Sequence, residues 1–198
     1  GNTGTLIKPG YSFAGWKDNL GVDYQPGATY SLANAGVTFS AQWTANPYRV
    51  FYNLTEATSG AVPTDSSIYA IASTANVRGN PGNLQRTGYV FAGWADNASR
   101  TGRIYVSGDT YTVATSDINF WAAWTPNTYT ITYDVNGASG APSKSSDTYT
   151  VGSSEARLAL VGTMAKSGYN FGGWATQAVG AAISDSFTVS AHTTLFAQ

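Results

Sequence analysis

The sequence predicts a β-rich fold, mainly β to α+β, laid out as tandem small units of about 80 residues. The first observation is a recurring motif. Gly10-Tyr11-Ser12-Phe13-Ala14-Gly15-Trp16 returns as Gly88-Tyr89-Val90-Phe91-Ala92-Gly93-Trp94 and as Gly168-Tyr169-Asn170-Phe171-Gly172-Gly173-Trp174, so the tryptophans lie 78 and then 80 residues apart. The second is a period of two in the flanking blocks, the mark of half-buried strands. The third is composition: 14% aromatic residues, 22 glycines and only 11% charged residues, as in β proteins with many turns and hydroxyl-bearing outer faces.

An opening block, Tyr48-Arg49-Val50-Phe51-Tyr52, matches Tyr129-Thr130-Ile131-Thr132-Tyr133. In the second copy of this block Tyr129, Ile131, Tyr133 and Val135 share a face opposite Thr130, Thr132 and Asp134, which predicts a half-buried strand. Asp134-Val135-Asn136-Gly137 closes it in turn chemistry. Each opening block leads to a Ser-Gly-Ala and a proline, and then Tyr69-Ala70-Ile71 and Tyr149-Thr150-Val151 read as the returning strand of a hairpin. Ser153-Ser154-Glu155-Ala156-Arg157-Leu158-Ala159-Leu160 fits a short helix with a capping serine. The matching stretch carries Gly79-Asn80-Pro81-Gly82, which breaks a helix, so the unit does not require one.

The aromatic motif comes next. Its Tyr and Phe lie two apart and share a face, which would leave Trp on the other, so the intervening Gly reads as a bulge that turns Trp back inward. A basic residue, Lys8, Arg86 or Lys166, stands two before each leading Gly. A second shared block follows at Gly27-Ala28-Thr29-Tyr30-Ser31-Leu32, Gly108-Asp109-Thr110-Tyr111-Thr112-Val113 and Ser184-Asp185-Ser186-Phe187-Thr188-Val189. A closing block alternates again: Val37, Phe39, Ala41 and Trp43 oppose Thr38, Ser40 and Gln42, with counterparts at 118–124 and 193–198. The resulting layout is the C-terminal half of a unit at residues 1–44, a complete unit at 45–125 and a nearly complete unit at 126–198.

Several function classes are excluded on chemistry. A formal charge of −1 offers no basic stripe for nucleic acid or for anionic lipid. No apolar run of 18 residues exists, so no membrane insertion is expected. The single His192, flanked by Ser190 and Thr193, has no histidine counterpart in the other copies, and it reads as a solvated loop residue. With one His and no Cys, a His/Cys zinc site cannot be assembled, and the carboxylates are too scattered for calcium. No phosphate-loop pattern precedes a helix. The expectation is therefore no catalytic residue, no metal and no cofactor.

These blocks together resemble the Listeria–Bacteroides repeat, the internalin-type B-repeat, over essentially the whole chain. The resemblance implies small β-grasp-like units strung in tandem on secreted or wall-attached bacterial proteins, serving as stalks, spacers or interaction modules without catalytic residues. Trp121, and Ser40 in the first copy, stand where that family has Tyr, and Asn53-Leu54-Thr55 replaces its Asn-Gly turn.

Two functional readings follow. The first is a structural stalk region of a bacterial extracellular surface or adhesion protein or fibre, whose partners are neighbouring repeats of its own chain. The second is an adhesion module that binds a cell-surface glycan or protein, or self-associates into a fibre, through exposed aromatics. Strand parity puts Phe51, Trp121 and Phe196 outward, beside Thr132 and Ser40, and these are the candidate contact residues. Each core is expected to gather the motif aromatics: Trp94, Phe91, Tyr111, Phe120 and Trp124 in one unit, Trp174, Phe171 and Phe187 in the next. The joints, Thr44-Ala45-Asn46-Pro47 and Thr125-Pro126-Asn127-Thr128, are short and proline-bearing, which favours a stiff rod. The half unit at 1–44 is expected to leave a strand edge uncovered, to be completed by the rest of a longer array or by a strand from a neighbouring molecule.

Overall fold

The computed structural model describes residues 4–31, 36–153, 158–183 and 187–198. Every regular element among them is a strand. Of the expected helix, residues 154–157 lie outside the described residues, and Leu158, Ala159 and Leu160 are not helical. Ser184-Asp185-Ser186 of the second shared block and Leu32 also lie outside. The α+β variant of the fold therefore has no helix to support it among the described residues.

The first copy contributes β1 (Tyr11–Lys17), β2 (Asp23–Tyr24) and β3 (Ser40–Ala45). The second contributes β4 (Val50–Asn53), β5 (Ser59–Ala61), β6 (Thr74–Asn76), β7 (Gly82–Gln85), β8 (Tyr89–Ala95), β9 (Ile104–Tyr105), β10 (Thr110–Thr112) and β11 (Ile118–Pro126). The third contributes β12 (Thr128–Asp134), β13 (Ser146–Thr150), β14 (Trp174–Ala175) and β15 (Thr193–Ala197). The chain divides into two compact units, Gly1–Leu84 with Ala92–Ala123, and Gln85–Phe91 with Trp124–Gln198.

In the first unit, β1 lies between β2 and β3 in a three-stranded sheet, with β3 at its edge. The register of β1 on β3 shifts between Phe13 and Gly15, which is the bulge expected from the motif. Gly15 has φ +138°, and a Cβ there would lie 2.5 Å from the Tyr24 carbonyl oxygen, so only glycine fits. Gly93 repeats this, with φ +138° and 2.4 Å to the Tyr105 oxygen. The second copy forms a sheet ordered β4-β11-β8-β9, in which β4 runs parallel to β11 with Val50 beside Ile118 and Tyr52 beside Phe120. Trp94 and Phe120 are fully buried, at 0% exposure, with Tyr52 packed on both and Tyr105 on Phe120; Val77, Leu84 and Val113 are buried as well. Tyr111 packs edge-on against Phe120 at 5.5 Å.

The second unit carries the sheet β13-β12-β15-β14, again with its first and last long strands, β12 and β15, parallel. Ile131, Tyr133, Trp174, Val189 and Leu195 form its core, with Phe187 and Met164 packed against them.

Three details depart from the sequence reading. The returning strand at Tyr69-Ala70-Ile71 shrinks to a single bridge between Tyr48 and Tyr69, and its counterpart is Ser146–Thr150, ending before Val151. In the second copy the Asp65 carboxylate captures the Ser67 N–H at 2.9 Å, which competes with ladder formation. Phe91 and Trp124 are less buried than the expected core: both are half-buried, and they pair edge-on at 5.6 Å. Phe171, expected in a core, is 39% exposed. Phe13 and Phe91 rest on Trp43 and Trp124, and Phe171 meets Trp174 edge-on at 5.4 Å.

Candidate contact surfaces

Parallel pairing fixes which side chains share the outer face. Phe51 lies beside Asn119, and Asn53 beside Trp121, so Phe51 and Trp121 stand on one face of the first unit, diagonal to each other. Phe51 is 45% exposed. Trp121 is half-buried while its neighbours Phe120 and Ala122 are fully buried. Asn53 Nδ2 donates to the Phe120 carbonyl at 3.0 Å. Phe196, in the second unit, is half-buried beside Asp134 and Ala175. Thr132 Oγ1 and Thr194 Oγ1 are 2.9 Å apart on that sheet, in the places that Phe51 and Asn119 take in the copy before.

The basic residue before each motif has a position the sequence did not explain. Tyr11, Tyr89 and Tyr169 each donate a backbone N–H to the carbonyl of Lys8, Arg86 and Lys166 at 3.0 Å. The middle glycines have φ near +80°, which makes these turns of type II. The turn swings the cation back over the Tyr ring, at 4.1 Å for Lys8 and 3.7 Å for Arg86. At Lys166 the distance is 5.5 Å, and this ammonium also donates to the Asn136 carbonyl at 3.0 Å.

The first two of these turns are covered by the segment that opens the following copy. The Gly10 carbonyl accepts the Asn46 N–H, and the Gly88 carbonyl accepts the Asn127 N–H, both at 2.9 Å. Ile71 and Val151 lie directly over Gly10 and Gly88. Nothing lies within 4 Å of the Gly168 Cβ position, and Tyr169 is 73% exposed on the rim of a cleft of about 620 Å³ that Val135, Met164, Phe171 and Gln198 also line.

The lone histidine is a strand-end cap. His192 is exposed, and its Nδ1 accepts the Thr130 N–H at 3.0 Å. At the equivalent place Asp117 Oδ1 accepts the Arg49 N–H at 2.9 Å. Either side chain supplies the acceptor. The buried carboxylates are likewise structural. Asp18 accepts the Leu20 and Val22 N–H groups, each at 2.9 Å, and the Tyr24 hydroxyl at 3.1 Å. The hydrogen bond from Val22, joined by those from Leu20 and Tyr24 against the opposing effect of burial, holds the Asp18 carboxyl below its ordinary value. Burial pushes Asp65 upward, but hydrogen bonds from Ser67, Tyr69 and Arg78 outweigh it and leave that group lowered too. Among the described residues no group of three His, Cys, Asp or Glu is placed to hold a metal, and no helix is long and apolar enough to cross a membrane.

The Listeria–Bacteroides repeat domain matches residues 48–123 and again 129–198. A protein of Evansella cellulosilytica named "Putative Gly-rich membrane protein" is 31% identical over 144 residues, covering 69% of this chain and 16% of its own length. A "Putative membrane protein" of the same organism is 32% identical over 121 residues, covering 61% of this chain and 18% of its own. The chain thus spans less than a fifth of the relatives it matches. No solved structure matches it. Two consecutive matches, carried by units whose described regular elements are all strands, establish that this chain belongs to the Listeria–Bacteroides repeat family.

Proposed function

We propose that this chain is the stalk region of a bacterial extracellular surface or adhesion protein or fibre, spacing other domains from the cell. The observation that carries this reading is the repetition itself: two successive matches to one domain, each built on a buried tryptophan against a tyrosine of the opening strand at 4.7 Å. We place the unit boundaries at residues 1–44, 45–125 and 126–198. A β-grasp-like topology is supported by the strand order second-first-last-third, with first and last parallel, in the sheet of the third copy. The names of the Evansella relatives support a location at the cell envelope. Neighbouring repeats are the partners this function requires.

Adhesion through exposed aromatics is the second reading, favoured by the shared face of Phe51 and Trp121. Glycan-array and cell-adhesion assays on the purified chain separate the two. A stalk gives no saturable binding. Binding that Trp121→Ser or Phe51→Ser abolishes, with the melting transition unchanged, would replace the stalk by an adhesin. The Trp121→Ser chain should fold normally in either case, because the first copy carries Ser40 at that position.

A further inference from the structure

The short joints between copies are hydrogen-bonded on both sides. In the second joint the Asn127 N–H donates to the Gly88 carbonyl at 2.9 Å, and the Asn127 carbonyl accepts the Val151 N–H at 3.0 Å. One residue thus closes on the aromatic turn of the second copy and ties down the return strand of the third. Thr128, the next residue, already pairs with Thr150. In the first joint the Asn46 N–H donates to the Gly10 carbonyl at 2.9 Å, and Tyr48 exchanges two backbone hydrogen bonds with Tyr69, at 2.8 and 2.9 Å. Only Pro47 stands between them, and proline has no N–H to leave unpaired.

A side chain seals each turn. Ile71 stands two residues after Tyr69, and Val151 two after Tyr149. A Cβ on Gly10 would meet Ile71 Cδ1 at 2.5 Å, and one on Gly88 would meet Val151 Cγ1 at 3.0 Å and Cγ2 at 3.3 Å. The residue after each sealing side chain has a positive φ, +62° at Ala72 and +83° at Gly152. A Cβ on Gly152 would lie 2.9 Å from the Tyr89 hydroxyl, so the motif tyrosine reaches the end of that return strand. Turn and sealing residue come from different copies in both joints. The geometry is kept although one return segment is a full strand and the other a single bridge.

We propose that the Gly-Tyr turn of the aromatic motif is a docking site for the return strand of the repeat that follows it, selective for a β-branched aliphatic side chain two residues after that strand's Tyr. Through this contact the next copy's hairpin holds the turn of the copy before it closed, so neighbouring copies stabilise each other. The proposal deepens the stalk reading and rests on it. Its test reads the joint alone: a loose joint in a chain that binds no glycan or cell would sink the proposal and leave the stalk standing.

Hydrogen exchange is followed along the whole chain and its Val151→Ala, Val151→Ile and Thr150→Ala variants. The decisive amide is that of Tyr89, which closes the turn on the Arg86 carbonyl. Thr150 lies on the same return strand but meets Thr128 Oγ1 at 3.3 Å, so Thr150→Ala loosens the strand without touching the turn. Val151→Ala should speed exchange at Tyr89 and Asn127 about tenfold, as expected for removing two packed methyl groups from a local opening equilibrium. Val151→Ile, the residue of the first joint, should keep Tyr89 protected, and Thr150→Ala should leave it unchanged. Unaltered exchange at Tyr89 in Val151→Ala would overturn the proposal, even in a chain whose third copy had unfolded. Equal acceleration by Thr150→Ala would overturn it too, because the strand and not the side chain would then hold the turn.

Discussion

At Trp94 the indole N–H donates to the Arg78 carbonyl at 2.9 Å, and Trp174 repeats this toward the Ala159 carbonyl at 2.6 Å. Each tryptophan thus satisfies its one polar atom inside the core. Trp94→Ala should cost about 3–5 kcal/mol, measured by chemical denaturation, and Trp16→Ala clearly less, because Trp16 is only half-buried. The tryptophans were legible in the sequence as core, since a unit of this size must spend its aromatics inward. Their acceptors were not: a backbone carbonyl some sixteen residues upstream leaves no trace in residue identity. The buried carboxylates were equally hidden, because an Asp that caps a loop looks like any other turn Asp. They make acid stability a residue-scale property. Asp18 and Asp65 both titrate below the ordinary 3.8 when folded. Their stabilisation is complete above that value and is lost as pH falls through the lowered ones, because the unfolded chain then binds protons first. Denaturation midpoints measured between pH 5 and pH 2 should fall steeply at the acid end, and the fall should be shallower in Asp18→Asn and Asp65→Asn, each of which should already be less stable at pH 7.

Among elements, the type II turn of each motif is the most informative. Gly10 and Gly168 share φ +79°, but a Cβ on Gly10 would come within 2.5 Å of Ile71 Cδ1 and 2.9 Å of its Cβ, while one on Gly168 meets nothing within 4 Å. Gly168→Ala should therefore cost only the left-handed penalty of about 1–2 kcal/mol. Gly10→Ala should cost that and about 1–3 kcal/mol more for the displaced Ile71. Thermal melts of the two variants give the comparison, and equal losses would mean that Ile71 does not seal the turn. The glycine and the preceding cation were visible as a spacing, but the reason for the spacing, a turn that lays the cation on the Tyr ring, needed the backbone. The bulge was legible because strand parity failed at a glycine. The weak return strand at Tyr69 was not, since Asp65 acts through a diverted amide bond rather than through apolar pattern.

For the molecule as a whole, periodicity in the sequence made the tandem plan legible, and the resemblance of its motifs pointed to the family. The packing of an opening-strand Tyr on the motif Trp was not written in any one motif, because the pair joins residues about 42 apart in the chain. The same long-range joining governs how a repeat would carry load. Strand β4 begins its copy and β11 ends it, and they are neighbours running in the same direction; β12 and β15 repeat the arrangement. Tension applied through the chain draws the start of β4 and the end of β11 toward opposite ends of one ladder. The hydrogen bonds between them are then loaded in shear, all together, instead of opening one after another like a zipper. Pulling a single chain by its ends should therefore give discrete high-force ruptures, one for each such parallel ladder, whose rate is set by the unfolding barrier.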